Sequence, residues 1–531
     1  MMLQVDALIV GAGFAGLYAL HKMREIGVSA HAVEMADDVG GVWYWNTYPG
    51  ARCDVESMQY SYSFSDDLQQ EWEWTERYAR QPEILSYLRH VADRFDLRRS
   101  ISFGTSVVSA TFDDAHQHWH VRTDKGKDIV ARYCIMASGS LSASRLPDLP
   151  GIENFAGPVL HTGNWPDKIP DFAGLNVAVI GTGSSGVQAI PQIATRAKHL
   201  FVFQRTANFV VPARNHPLAA EAQAQCKADY PALRIRARQV GTLYEFSDTP
   251  AFSVSPEARE AEYQRRWDKG GVNFVHSFKD IMTDRAANQT AADFVHTRIR
   301  EAVDDPVIAE RLCPKDYPLG AKRICVGSDY YETYNRANVT LVDLRETPIT
   351  NVDVQSIQTS EMRYPIDLLV CATGYDALTG ALTRIDIRGR GGASLADYWS
   401  DGPRNYLGLM SAEFPNMFII TGPGSPSVLV NMVVGIEQHV DWIADCITYL
   451  NSTGATSIVP HADAQDKWVQ RVNDEAASTL FTQANSWYLG ANIPGKPRVF
   501  MPFVGGIGRY RAICDQVAAD DYSGFEISKG N

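Results

Sequence analysis

Two glycine-rich turns, each set between a β-branched run and a helical stretch, predict an α/β chain in which one structural unit occurs twice. The first is Gly11-x-Gly13-x-x-Gly16, entered from Ala7–Val10 and followed by a helical stretch and a second strand ending at Glu34. The second is Gly181-x-Gly183-x-x-Gly186, entered from "NVAVI" and followed by a strand ending at Gln204. Glu34 and Gln204 stand at the same spacing from the first glycine of their turns. Each unit later returns to a strand closing on a small-small-Gly turn, "YCIMASG" and "LLVCATG". The fold class is therefore α/β with two Rossmann-like dinucleotide-binding domains.

The residues of each turn state what it holds. Gly11 permits a tight turn, Gly13 lets backbone approach a pyrophosphate, and Gly16 lets helix pack on strand. The helix N-terminus offers free N–H groups to the phosphates. Glu34 can accept from both ribose hydroxyls, so the first unit reads as a site for FAD or NAD. In the second unit Gly181, Gly183 and Gly186 repeat the pattern with Ser184 among them, but Gln204 replaces the carboxylate and Arg205 and Thr206 follow. A carboxylate repels a 2′-phosphate and a guanidinium forks onto it, so this unit reads as an NADPH site. Two dinucleotides in one chain imply hydride passing between them, hence FAD reduced by NADPH.

Around these units the organisation is predicted as follows. Residues 1–140 and 378–531 form the FAD-binding domain, 141–211 and 321–377 the NADP-binding domain, and 212–320 a helical insertion within the latter. In the insertion "SPEAREAEYQRRW" opens on Ser255 as N-cap with Pro256 behind it, and "DFVHTRIREAV" places Phe294, Ile299 and Val303 at near-helical spacing. Ahead of the second turn, "FAGPVLHTGNWPD" shows neither a helix nor a strand signature.

Composition narrows the partners. A 531-residue chain with 45% hydrophobic residues supports two to four domains with their own cores. Its net charge of −13, spread along the chain, argues against nucleic acid and anionic membranes. Eight cysteines without C-x-x-C or a metal-like cluster read as reduced thiols in a cytoplasmic protein without a metal. Apolar runs such as "SVLVNMVVGI" reach about ten residues, half of the ~20 that span a bilayer. A disulfide reductase needs paired cysteines beside the flavin, and Cys53 stands alone there.

The stretch Phe155-x-Gly157-x-x-x-His161-x-x-x-Trp165-Pro166, together with Gly40-Gly41-x-Trp43, Tyr48-Pro49-Gly50 and Asp54, resembles the signatures of type I Baeyer–Villiger monooxygenases. The resemblance runs to "SWYLGANIPGKPRVF" and is closest to the branch with phenylacetone and steroid monooxygenases. It implies an enzyme that uses NADPH and O₂ to convert ketones to esters or lactones through a flavin peroxide, with sulfoxidation as a side activity. Arg323, in Gly320-x-Lys322-Arg323, matches the arginine that stabilises the peroxide, and Asp54 its acidic partner at the cofactor. Lys322 matches a second contact to the 2′-phosphate, and Gly41, Trp43 and Tyr60 match flavin-side positions. Trp487 matches a residue of a mobile loop, 487–500, that closes over nicotinamide and substrate, and Ser427, Val428, Leu429 and Met432 match the substrate wall. His161 is expected to hydrogen-bond backbone at the domain junction rather than to act in catalysis. The implied partners are a small ketone and O₂, with the chain a monomer or weak homo-oligomer. The alternatives are an N- or S-oxygenating flavin monooxygenase and an NADPH-dependent flavin reductase.

Overall fold

The computed structural model describes residues 2–166, 168 and 170–529. Strand Leu3–Val10 is buried along its inner half, Ala7 to Val10, as a parallel strand covered on both faces must be. It pairs in parallel with Ala30–Val33 on one side and Asp128–Met136 on the other. These strands centre an eight-stranded sheet with the path Asp386–Arg388, Val107–Asp113, His118–Thr123, Asp128–Met136, Leu3–Val10, Ala30–Val33, Ile101–Ser102, and with Met417–Ile419 added beside Asp128–Met136. Two strands from beyond residue 378 thus complete a sheet begun at the N-terminus. Helix Met432–Thr453 lies along helix Phe14–Glu25, and Tyr18 Oη donates to Asp441 at 2.6 Å between them.

The second sheet has five parallel strands in the order Val339–Asp343, His199–Gln204, Asn176–Ile180, Leu368–Cys371, Val159–His161. Its faces alternate cleanly. Val177, Val179, Leu200 and Val202 pack on helix Ser184–Ala194, while Ala178, Ile180 and Phe203 pack on a small antiparallel sheet through Ile357 and Tyr364. The edge strand Val159–His161 departs from the sequence reading, which saw no strand in that stretch. Three residues are too short to show a period of two, and Pro158 before them is compatible only with an edge. Asp167, which ends the quoted stretch, lies outside the described residues.

Residues between 212 and 320 form helices Ala220–Val240, Pro256–Lys269, Arg285–Ala302 and Pro306–Leu312. Ser255 caps the second of them by accepting from the Ala258 N–H at 3.2 Å. The first does not pack as part of the second unit. Its inward face (Gln223, Lys227, Tyr230, Arg234, Ala237) docks on the first unit through polar bonds. Arg234 reaches Gln69, Ser61 and the Gln59 carbonyl, Lys227 donates to the Gln70 carbonyl, and Tyr230 donates to the Met58 carbonyl. The chain crosses between the two sheets after Met136 and again after Cys371, and the two crossings lie side by side: Asp376 N–H donates to the Ala143 carbonyl at 2.9 Å and Leu378 N–H to that of Ser140 at 2.8 Å. No helix among the described residues is long and apolar enough to cross a membrane.

Candidate active site

In both turns the first glycine has a left-handed backbone, φ +108° at Gly11 and +106° at Gly181. A methyl added at Gly11 would lie 2.6 Å from the Ala137 carbonyl oxygen, and at Gly181 2.4 Å from that of Ala372. Each small-small-Gly turn thus presses on its glycine turn, and only glycine fits between them. The helices that follow begin at Gly13 and Gly183 with no side chain capping them, so their N–H groups are available to phosphate.

Outside the turns the units differ. Gly13 abuts Gly41, whose Cα would lie 3.2 Å from a methyl at residue 13, whereas nothing lies within 4 Å of one at Gly183. Glu34 is buried and accepts from the Ala12 N–H at 2.7 Å and the Ala36 N–H at 2.8 Å; burial pushes its pKa up against those bonds. Gln204, its counterpart, is buried with its amide donating to the Arg311 carbonyl at 2.7 Å. Arg205 is exposed beside it, and Thr206 accepts at its carbonyl from the Thr182 hydroxyl at 3.0 Å.

Lys322 and Arg323 are neighbours in sequence and serve opposite directions. The Lys322 ammonium sits 4.4 Å from the centre of the Tyr317 ring, and burial followed by the charge of Arg205 lowers its pKa. Two cations held this way are relieved by a dianion, so this end fits the 2′-phosphate of NADPH. Arg323 turns to the first unit. Its Nε and Nη2 donate to the two oxygens of Asp54 at 2.7 and 2.8 Å, and its Nη1 donates to the Val428 carbonyl at 2.9 Å. Burial opposes both charges of this pair, but their mutual attraction prevails: Asp54 lies below the usual carboxylate range and Arg323 well above the usual guanidinium range. Arg323 keeps 27% of its side chain accessible.

Tyr60 and Trp43 meet edge-to-face at 5.8 Å, with Trp43 Nε1 donating to Tyr60 Oη at 3.2 Å. Tyr60 also packs on Phe14, the first residue of the helix behind the first turn. Tyr48 and Gly50 do something the motif reading did not assign: Tyr48 donates to Gln188 at 2.9 Å, and a methyl at Gly50 would lie 2.5 Å from the Gln188 carbonyl oxygen. This segment seats the helix of the second turn against the first unit.

Of the four wall residues, Leu429 and Met432 are only partly buried, against a cluster of Val428, Tyr488, Phe500 and Ala476. Ser427 is 2% exposed, with its hydroxyl donating to the Thr421 carbonyl rather than lying open. What Val428 offers Arg323 is its carbonyl. Trp487 opens the segment 487–500 and packs on a cluster of Ala377, Leu378 and Met501. Tyr488 and Tyr244 were missed by sequence reasoning, yet both lie in the electrostatic reach of Arg323; burial pushes the Tyr488 phenol up to about 12. His161 accepts from the Gly163 N–H at 2.9 Å and meets the Tyr375 ring edge-on at 6.1 Å, with burial lowering its pKa. It stands at the edge of the second sheet, among backbone.

Two dinucleotide cradles, one enclosed and one open, on either side of a lysine–arginine pair define a flavoprotein oxidoreductase that takes its hydride from NADPH. A family model described as flavin-binding monooxygenase-like matches residues 5–217. The chain is 44% identical over 524 residues to a Baeyer-Villiger monooxygenase of Pseudooceanicola batsensis, covering 98% of this chain and 95% of that one. It is 42% identical over 526 residues to a phenazine N-monooxygenase of Lysobacter antibioticus, covering 98% and 96%. A solved structure described as oxidized steroid monooxygenase bound to NADP superposes with a TM-score of 0.95 at 52% identity, covering 99% of this chain and 100% of that one. The chain belongs to the Baeyer–Villiger monooxygenases, enzymes that use FAD and NADPH to insert oxygen into ketones.

Proposed function

We propose that Arg323 is the catalytic cation of this enzyme and that its substrates are uncharged ketones seated between Leu429, Met432 and the 487–500 segment. The observation that carries this is the three-point hold on the guanidinium by Asp54 and the Val428 carbonyl, which fixes a positive charge at the wall. Bound FAD supplies the oxygen-activating redox chemistry, and NADPH supplies the hydride.

The first turn, Glu34 and Gly41 hold the FAD, with Trp43 and Tyr60 bordering it. The second turn with Ser184, Arg205, Thr206 and Lys322 holds NADPH, with Trp487 over it. Arg323 steadies negative charge as it develops at the ketone oxygen, in a position that costs no reorganisation because Asp54 already orients it. The apolar wall keeps water from that charge. Because Asp54 is held below its unperturbed value of 3.8, the pair's contribution is present above that pH and is lost only as the pH falls through the lower folded value. The pH profile of ester formation should therefore show no acid limb from Asp54 above about pH 4.

Arg323→Ala should leave reduction of the flavin by NADPH intact while lowering ester formation by about 10²–10³-fold. Ester yield near wild type in this variant removes Arg323 from the mechanism. The wild-type assay is ¹⁸O₂ with NADPH and a panel of aryl, cyclic and steroidal ketones, read by mass spectrometry for one labelled oxygen in an ester.

The phenazine N-monooxygenase among the relatives favours a second reading, oxygenation at a ring nitrogen. Adding a phenazine and a thioether to the panel separates the two, since labelled N-oxide or sulfoxide without ester selects the second. We also infer that the enzyme works in the cytoplasm as a monomer or weak homo-oligomer. Its eight unbridged cysteines support the first, and light scattering of the purified protein tests the second.

A further inference from the structure

We propose that Lys496 and Asp376 form a latch that holds the 487–500 segment against the crossing between the two dinucleotide units, and so positions Tyr488 beside Arg323; this rests on the ketone-oxygenating reading of the site. Lys496 Nζ donates to Asp376 Oδ1 at 2.5 Å and to the Ala377 carbonyl at 3.1 Å. Asn492 Nδ2 donates to the Tyr375 carbonyl at 2.7 Å. The segment is thus tied to three consecutive residues of the crossing.

Both ends of the ion pair rest on glycine. The stem of Lys496 passes over Gly490, where an added methyl would lie 3.0 Å from its Cδ, and the Asp376 carboxylate lies over Gly380, where a methyl would sit 2.5 Å from its Cγ. The side chains are 14% and 22% exposed, so this is a seated pair rather than two chains meeting in solvent. Leu378, two residues beyond Asp376, has φ +66°, a backbone that a leucine holds only where its surroundings over-determine it. Its N–H is bound to the Ser140 carbonyl of the other crossing, and its side chain packs with Trp487.

From this point the path to the site is short. Trp487 touches Ala377 and Leu378, and Tyr488 next to it packs on Val428, whose carbonyl holds Arg323. On the far side Tyr375 donates to Asn46 at 2.9 Å and meets His161 edge-on. A shift of one unit against the other therefore pulls on the latch before it reaches the arginine. Lys496 is a positioning residue: its ammonium is bound by Asp376 and the Ala377 carbonyl.

The test uses the FAD-loaded enzyme and Lys496→Met. Flavin reduction at saturating NADPH should persist, the KM for NADPH should rise about tenfold, and a larger share of NADPH should be consumed as hydrogen peroxide rather than ester. Independently of activity, proteolysis in the presence of NADP⁺ should cut 487–500 faster than in wild type. Lys496→Arg should restore coupling, and the exchange Lys496→Asp with Asp376→Lys should exceed either single variant. If Lys496→Met does not fold, Asn492→Ala carries the same readouts. A Lys496→Met or Asn492→Ala enzyme with wild-type coupling and wild-type protease protection overturns the latch. A wild-type enzyme that makes no ester from any ketone overturns the reading of the site instead.

Discussion

At Gly16 and at Gly186 an added methyl would lie 1.9 and 2.2 Å from the carbonyl oxygen of the first glycine of the same turn, so the two turns are built alike from within. They part at the middle glycine, where Gly13 meets Gly41 and Gly183 meets open space. They part again at the end of the second strand, where Glu34 is bound by two backbone N–H groups while Gln204 donates to the Arg311 carbonyl and the charges nearby are Arg205 and Lys322. One architecture is crowded at its middle glycine in the first unit and open there in the second.

The strongest way to break this comparison is to damage each turn at its most crowded point. Gly16→Val and Gly186→Val each force a side chain into backbone and should cost about 1–3 kcal/mol or more. The first should purify colourless and less stable. The second should remain yellow but fail to be bleached by NADPH under anaerobic conditions. Loss of flavin in Gly186→Val would show that the units are not separable. Next in size is Arg205→Ala with Lys322→Ala, which should raise the KM for NADPH about ten- to a hundredfold, with flavin content and NADH-driven reduction unchanged. An equal loss with NADH would move these residues out of 2′-phosphate recognition.

Smaller effects sharpen the contrast. Gly13→Ala must displace Gly41 and should lower stability by about 1 kcal/mol, while Gly183→Ala should leave the melting temperature of the ligand-free protein unchanged. Equal shifts would mean that Gly183 is as confined in solution as Gly13. The smallest effect is electrostatic. Glu34 is raised above 4.5 by burial, so the ligand-free folded chain holds a proton that the unfolded chain has released, and this stability is lost as pH rises through the window above 4.5. Glu34→Gln should flatten that part of the Tm-versus-pH curve; an unchanged slope would assign it to other groups.

Both glycine turns were legible in the chain because each is local, a turn needing its glycines in fixed order; the pairing of Asp54 with Arg323, 269 residues apart, was reached only through the family resemblance. What touches Arg323 was not legible in the same way. The Val428 carbonyl is backbone, which sequence does not mark, and Tyr244 and Tyr488 come from segments far apart, with nothing in their spacing to say that they converge. Helix Ala220–Val240 escaped for another reason. Gln223, Lys227, Tyr230, Arg234 and Ala237 recur with helical periodicity and form its buried face, but a search for apolar periodicity passes over such residues. The helix was legible as part of an insertion; the side it docks on was not.

That polar face has a consequence for how the enzyme can move. An oily seam is costly to part, because opening it wets apolar surface. A seam of amide, ammonium and guanidinium groups instead wets little apolar surface when parted, and what opposes its opening is about 0.5–3 kcal/mol for each hydrogen bond exchanged for water. Helix Ala220–Val240 ends at Gly241, whose carbonyl accepts from Asn431, the residue before Met432. The turn that leads into Met432 is therefore tied to a helix whose hold on the first unit is polar rather than oily.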